Sequence, residues 1–282
     1  MTPEYLLIGH MTADLTPEGR LPGGTVSYAT RTAAAFGLRV ALLTSAAEGD
    51  ELVETLTPYA EVEAIPAAET TTYENIYTPG GRVQYVRGVA APIRADDLPE
   101  RFAGAPLVHL APIAGEVDPQ IAHRFKDATV LLTLQGWLRR WDADGRVHFK
   151  RWYDPAVLES INIVVFSEED ITESPQLEQE FAGSVEHLFV TRAEKGGTYY
   201  HRGEAFDYTT PQVELLNPTG AGDVFAAALL ASLPTLKGDI RAAINVAARL
   251  GAISVTRVAL DGAPTADEAQ AVLDEARLKA AE

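Results

Sequence analysis

Compact apolar runs recur along the chain at Tyr5–Gly9, Arg39–Thr44, Leu107–Ala111, Val130–Leu134, Ile161–Phe166 and Leu188–Thr191, without the polar/apolar alternation of a half-exposed strand. Such runs suit strands buried on both faces, and a parallel sheet covered by helices is the architecture that buries them. Between the runs, Thr25–Phe36 reads as a small-residue helix stopped by Gly37, and Asp223–Leu233 and Asp239–Thr256 carry Ala, Ile, Val and Leu at helical spacing. Thr265–Ala280 reads as a last amphipathic helix, opened by a Thr265/Glu268 capping-box spacing. The expected class is therefore α/β, a doubly wound, mostly parallel sheet flanked by helices. One stretch differs: Thr72–Gly88 alternates polar and bulky residues around Pro79-Gly80-Gly81, the pattern of a β-hairpin with one solvated face. It is either an ordinary surface hairpin or a lid over a cleft.

Composition narrows the function classes. The 282 residues are 46% hydrophobic and 22% charged, a globular balance, and contain no cysteine, which removes disulfides, thiolate metal sites and a cysteine nucleophile. A net charge of −17 repels phosphate backbones and anionic lipid, so neither nucleic acid nor membrane is the expected partner. No apolar run approaches the ~20 residues of a bilayer span, and the first residues lack a basic stretch leading into an apolar one; a cytoplasmic protein is expected.

The run Asn217-Pro-Thr-Gly-Ala-Gly-Asp223, followed by Val224-Phe-Ala-Ala-Ala-Leu-Leu230, carries the chemistry. It passes from a strand-like Val213–Leu216 through a Pro/Gly turn into an Ala-rich helix. Gly220 and Gly222 let backbone N–H groups turn outward at the positive end of the helix dipole, which makes an anion site. A tight connection and a dinucleotide-binding turn are the competing readings; the latter fails because Phe225 stands where a third small residue is needed. Asp223 favours catalysis. A carboxylate would weaken a site that merely binds phosphate, but beside an acceptor hydroxyl it can take the proton as that oxygen attacks phosphorus, while the Gly220, Ala221 and Gly222 amides hold the charge on the transferring group.

Asn217–Leu230 resembles the C-terminal signature of the ribokinase-like (PfkB) carbohydrate kinases, D-T-x-G-A-G-D, with Asn-Pro as an opening pair. Other segments are similar to that family in the right order. Gly9–Asp14 looks like the end of its first strand, whose aspartate binds acceptor hydroxyls, and Gly23-Gly24 like its paired-glycine substrate loop. Val190–Gly196 is similar to its T-x-G-x-x-G nucleotide segment, with Thr191 and Gly196, and Asn245–Gly251 to the helix that lines the adenine. The resemblance implies one kinase unit over residues 1–282 with 71–90 as a reduced β lid, and transfer of the γ-phosphate of ATP with Mg²⁺ to a sugar, nucleoside or polyol hydroxyl; the hairpin's apolar face is expected either to pair two subunits as a homodimer through the lid or to cover the cleft.

The departures shape the expectations. Only eight residues separate Asp14 from Gly23, so the lid is expected to be a single hairpin. Tyr28 stands where the family has an asparagine, and Ser167-Glu-Glu-Asp170 replaces an N-x-x-E segment that helps hold magnesium, leaving Asp170 as the metal carboxylate or as part of a solvated acidic turn. Ala193 replaces the first glycine of the nucleotide segment. Tyr85-Val-Arg87 is similar to the Y-x-R of ketodeoxygluconate kinases, where an Arg fork would favour an acidic sugar. Gln135-Gly-Trp-Leu-Arg139 and Gly23–Tyr28 are similar to inositol-kinase-like members. Asp14, Gly23, Gly24, Arg87 and Gln135 are thus placed at the acceptor, and a myo-inositol-like polyol is favoured over acidic sugars and nucleosides. A non-catalytic sugar- or nucleotide-binding relative is the alternative of a different class. The six histidines show no paired spacing, and Trp137, Trp141 and Trp152 read as packing residues.

Overall fold

The computed structural model describes residues 2–17, 19–78 and 81–280. The Pro79-Gly80 part of the expected hairpin turn lies outside the described residues. In chain order the strands are β1 Tyr5–Ile8, β2 Thr12–Thr16, β3 Gly19–Gly23, β4 Val40–Ala47, β5 Ala60–Ala67, β6 Thr72–Thr78, β7 Gly81–Gly88, β8 Leu107–Leu110, β9 Thr129–Thr133, β10 Arg139–Trp141, β11 Val147–Phe149, β12 Ile163–Ser167, β13 His187–Thr191, β14 Gly197–His201 and β15 Glu204–Tyr208. Helices are α1 Thr25–Ala35, the short α2 Glu51–Glu54, α3 Pro155–Leu158 and α4 Leu177–Ala182, then α5 Ala221–Ser232, α6 Ile240–Ser254 and α7 Ala266–Ala280.

Nine strands form one sheet in the order β15-β14-β13-β12-β9-β8-β1-β4-β5. The run from β13 to β5 is parallel, and β14 and β15 add antiparallel strands at one edge. The six apolar runs are six of these strands. Alternate side chains enter separate cores: Tyr5, Leu7 and Leu42 pack under α1, α5, α6 and α7, whereas Leu6, Ile8, Leu43, Val108 and Val130 pack beneath the other face. Helices flank the sheet as expected, and those on the second face are the shorter ones. That face is covered by α3, α4 and 3₁₀ turns at 119–124 and 168–171, with Pro119 and Pro155 in the first turn of their helical segments.

A second sheet of four strands, β3-β2-β6-β7, corrects the expected single-hairpin lid. Residues 12–23 themselves form a hairpin, with Asp14 opposite Leu21 and Thr12 opposite Gly23, and β2 pairs β6 in parallel. Asp14 and Gly23 do not flank this insertion; they are part of it, so the eight intervening residues suffice for two short strands. Val213–Leu216 is likewise not a strand but extended chain whose Leu215 and Leu216 are exposed, held by the Leu216 and Asn217 amides donating to the Val255 carbonyl.

Candidate active site

Parallel strands deliver their C-terminal ends to one edge of the sheet, where ligands bind in folds of this kind. There α5 begins. Its N-cap Gly220 has φ 85°, and a Cβ would collide with the Tyr28 ring, so both backbone and space require glycine. A Cβ at Gly222 would meet nothing within 4 Å, so the space before the first turn is open. The Ala221 amide leans to the Pro218 carbonyl at 3.4 Å and the Val224 amide to the Gly220 carbonyl at 2.8 Å. Of the expected donors Ala221 is partly engaged, while the Gly220 and Gly222 amides, with that of Asp223, precede the first internal helical bond and belong to the set that a helix cannot satisfy internally.

Asp223 is the third residue of α5 and receives a 2.7 Å hydrogen bond from Thr25 Oγ1 at the start of α1. Burial pushes its carboxyl up to about 6; the Thr25 hydrogen bond and Arg139 act against this, and the Asp170 and Asp14 charges add to it. These interactions gather residues from four distant parts of the chain around one carboxylate. The titration of the Tyr28 hydroxyl is pushed up by burial and by the charges of Asp223 and Asp14.

The paired glycines are explained by close approaches. A Cβ on Gly23 would collide with the Asp14 carboxylate, and Gly24, the N-cap of α1 with φ 77°, lies tight against the His10 carbonyl and Thr12. Asp14 accepts from Thr12 Oγ1 at 3.2 Å. Its strand neighbour Tyr73 donates to the Ile113 carbonyl at 2.7 Å, and Arg139 lies over the Tyr73 ring while donating to the same carbonyl at 3.2 Å. Gly136 lets the 135–139 turn pass the Pro112 backbone, where any Cβ would clash. Buried Glu116 fixes the facing loop by accepting from the amides of His10, Ile113 and Ala114. Arg139, Tyr73 and Glu116 were not among the expected site residues. The Q-G-x-x-R similarity already contained Arg139, whereas nothing local marks the other two.

Gln135, expected at the acceptor, and Asp170, expected at the metal, come together, Gln135 Nε2 donating to Asp170 Oδ1 at 3.3 Å. Asp170 also accepts from the Ser167 amide at 2.9 Å in a capping box, so the carboxylate is fixed in place by its own turn and by Gln135. Together with Gln84, Arg139, Arg146 and His148 these two residues line a polar cavity of about 360 Å³ beneath the lid. Arg87 does not join them. It pairs with Glu74 at 2.6 Å, donates to the Asp144 carbonyl and lies over the Tyr85 ring, so its fork is already satisfied. By strand alternation it faces away from Val86, which packs with Tyr73, and the expected carboxylate contact is withdrawn.

On the other side, Thr191 ends β13 and Gly196 follows with φ 88°, so close to the Tyr208 carbonyl that only glycine fits. Ala193 takes φ 49°, a left-handed conformation that a glycine adopts without strain. Asn245 is exposed on α6 and, with Thr209, Thr210, Pro211 and Arg249, lines a second cavity of about 270 Å³. Gly196 and Asn245 thus flank the same segment, Tyr208–Pro211.

Comparisons with known proteins agree with this geometry. Residues 159–266 match the pfkB family carbohydrate kinase model. The cytidine kinase of Thermococcus kodakarensis is 24% identical over 248 residues, covering 81% of this chain and 87% of that protein. The inositol 3-kinase of Zea mays is 31% identical over 166 residues, 57% of this chain and 42% of the relative, so the chain spans under half of that relative's length. Among solved structures, a pyrophosphate-dependent kinase in the ribokinase family complexed with a pyrophosphate analog and myo-inositol has a TM-score of 0.79 at 20% identity, covering 95% of this chain and 99% of that one. Ribokinase of Arabidopsis thaliana, complexed with ribose and ATP, has a TM-score of 0.75 at 18% identity, covering 97% and 99%. No helix among the described residues is long and apolar enough to cross a membrane. The motif and the family match coincide at Asn217–Leu230: residues 159–266 are similar to the pfkB family carbohydrate kinases, and the chain has a ribokinase-like fold.

Proposed function

We propose that the protein transfers the γ-phosphoryl group of ATP to a hydroxyl of a small sugar or polyol, with a myo-inositol-like acceptor favoured. The observation that carries this reading is Asp223, raised to about 6 and tied to Thr25, beside open first-turn amides of α5. The Asp223 carboxylate takes the proton of the acceptor hydroxyl as its oxygen attacks, and the Gly222 and Asp223 amides, with Gly220 and Ala221 shaping the turn, hold charge on the phosphoryl group. Asp14 and Arg139 orient the acceptor hydroxyls, Gly23 and Gly24 letting Asp14 and the start of α1 approach. A ring of hydroxyls suits this mixture of carboxylate, amide and guanidinium, since each partner can donate or accept.

The nucleotide belongs to the side of Thr191, Gly196 and Asn245. Mg²⁺, a hard cation that keeps several waters and few protein ligands, fits a fixed carboxylate such as Asp170, whose two oxygens retain lone pairs beyond their hydrogen bonds. When bound, the ion would neutralise phosphate charge. A homodimer through the lid is part of the same reading, supported by the exposed Leu15 and Ile76 on that sheet; sedimentation velocity of the wild type and Ile76→Lys checks it, a wild-type monomer refuting it.

The test is phosphoryl transfer across inositols, ketoses, pentoses, acidic sugars and nucleosides, with ATP and pyrophosphate as donors. Transfer to polyol or sugar that collapses in Asp223→Asn supports the proposal. Ligand binding without transfer in either protein would establish a sensor instead.

A further inference from the structure

We propose that Glu186, His187 and His201 form a binding site for one transition-metal dication of the zinc class, at the end of the sheet remote from Asp223. The sequence places the two histidines 14 positions apart, with no metal-binding spacing, but the antiparallel register of β13 and β14 sets His187 directly opposite His201. One donor atom from each of the three residues lies within 4.8 Å of the others.

The geometry suits a metal better than a chance contact. His187 Nδ1 and His201 Nδ1 face each other at 3.4 Å, and the rings lie 5.0 Å apart and nearly parallel. Two imidazole nitrogens bound tetrahedrally at about 2.05 Å stand about 3.3 Å apart, so the separation matches such a site once one ring turns, since the in-plane lone pairs of near-parallel rings do not converge on one ion. The other four histidines are engaged elsewhere: His10 with Thr71, His109 with Tyr5, His123 with Ser160 and His148 with Asp142.

Two existing contacts must give way. Tyr199 Oη shares His187 Nδ1 at 2.8 Å, and metal binding exchanges that hydrogen bond for a metal–nitrogen bond. Glu186 pairs with Arg202 at 2.7 Å, but the Arg202 side chain is 72% exposed and such pairs hold weakly. Two imidazoles and one carboxylate favour Zn²⁺, Cu²⁺ or Ni²⁺ over Mg²⁺, so this site is chemically distinct from the one at Asp170. It lies about 13 Å from Thr191 along β13, the rise of four strand residues, and would clamp the antiparallel edge at its base.

The test is calorimetric titration of chelator-stripped full-length protein with ZnCl₂, alongside thermal melts with and without zinc. One ion per chain at micromolar affinity or tighter is expected, with affinity falling roughly 10- to 100-fold in His201→Gln and in His187→Gln. His148→Ala should leave it unchanged. Zinc should raise the melting temperature of wild type and not of the two histidine variants, each compared with its own zinc-free melt so that loss of the site is separable from loss of fold. Absence of stoichiometric zinc binding by wild type, or unchanged affinity in both histidine variants, overturns the proposal.

Discussion

The two halves of the candidate site are built in opposite ways. The proposed phosphoryl side is local: turn, proposed amide donors and proposed base occupy Gly220–Asp223, and the helix that follows fixes their geometry. The acceptor side is assembled from β2, β6, the 135–139 turn and α1, so Asp14, Tyr73, Gln135, Arg139 and Thr25 meet only once two sheets have formed. A local constellation can be read from spacing and broken by one backbone change. A dispersed one depends on packing, and single substitutions there should change which acceptor binds more than whether transfer occurs.

The sharpest way to break the local half is Asp223→Asn, which should lower turnover by about 10²- to 10⁴-fold in a coupled kinase assay. The same variant should melt higher above pH 6. The folded-state value of about 6 exceeds the ordinary 3.8, so the unfolded chain releases this proton first, and native stability falls as pH rises from about 4 to 6. Removing the carboxyl removes that loss.

Next in size, Gly220→Ala forces a side chain into a left-handed position and against Tyr28, at a cost of about 2–4 kcal/mol readable by denaturant melts. Gly222→Ala is its contrast. With open space around it, the added methyl should leave the melting temperature within a few degrees of wild type yet crowd the anion site and slow transfer.

Arg139→Met probes the dispersed half. Losing a charged donor at the acceptor should raise its KM by roughly 10- to 100-fold. Because Arg139 holds the Asp223 value down, the same variant should move the acidic limb of the kcat/KM profile to higher pH; in wild type that limb falls about tenfold per unit below pH 6. The smallest effect is Ala193→Gly, which relieves a left-handed alanine and should stabilise by about 0.5–1 kcal/mol with activity unchanged.

Much of the fold was legible because buried parallel strands are long apolar runs and need no partner to be recognised. The lid was misjudged at residues 12–23, where Gly, Pro and Thr carry little apolar signal and pairing with β6 supplies the stabilisation. Val213–Leu216 failed in the opposite sense: it is strongly apolar, yet it finds only a two-bond attachment to Val255. Arg87 looked available because a sequence cannot show Glu74 and Asp144 already holding it.

Sequence by itself determined the parallel sheet, the glycine turn into α5 and the acid three residues into that helix, since each follows from short-range sterics, periodicity and backbone polarity. Tertiary structure decided the surroundings of that acid: its raised protonation range, the Thr25 bond, the Arg139 cation over Tyr73 and the His187–His201 pair all arise between residues distant in the chain. Desolvation and charge depend on which groups converge in space, and convergence is set by strand order and register, which no local pattern encodes.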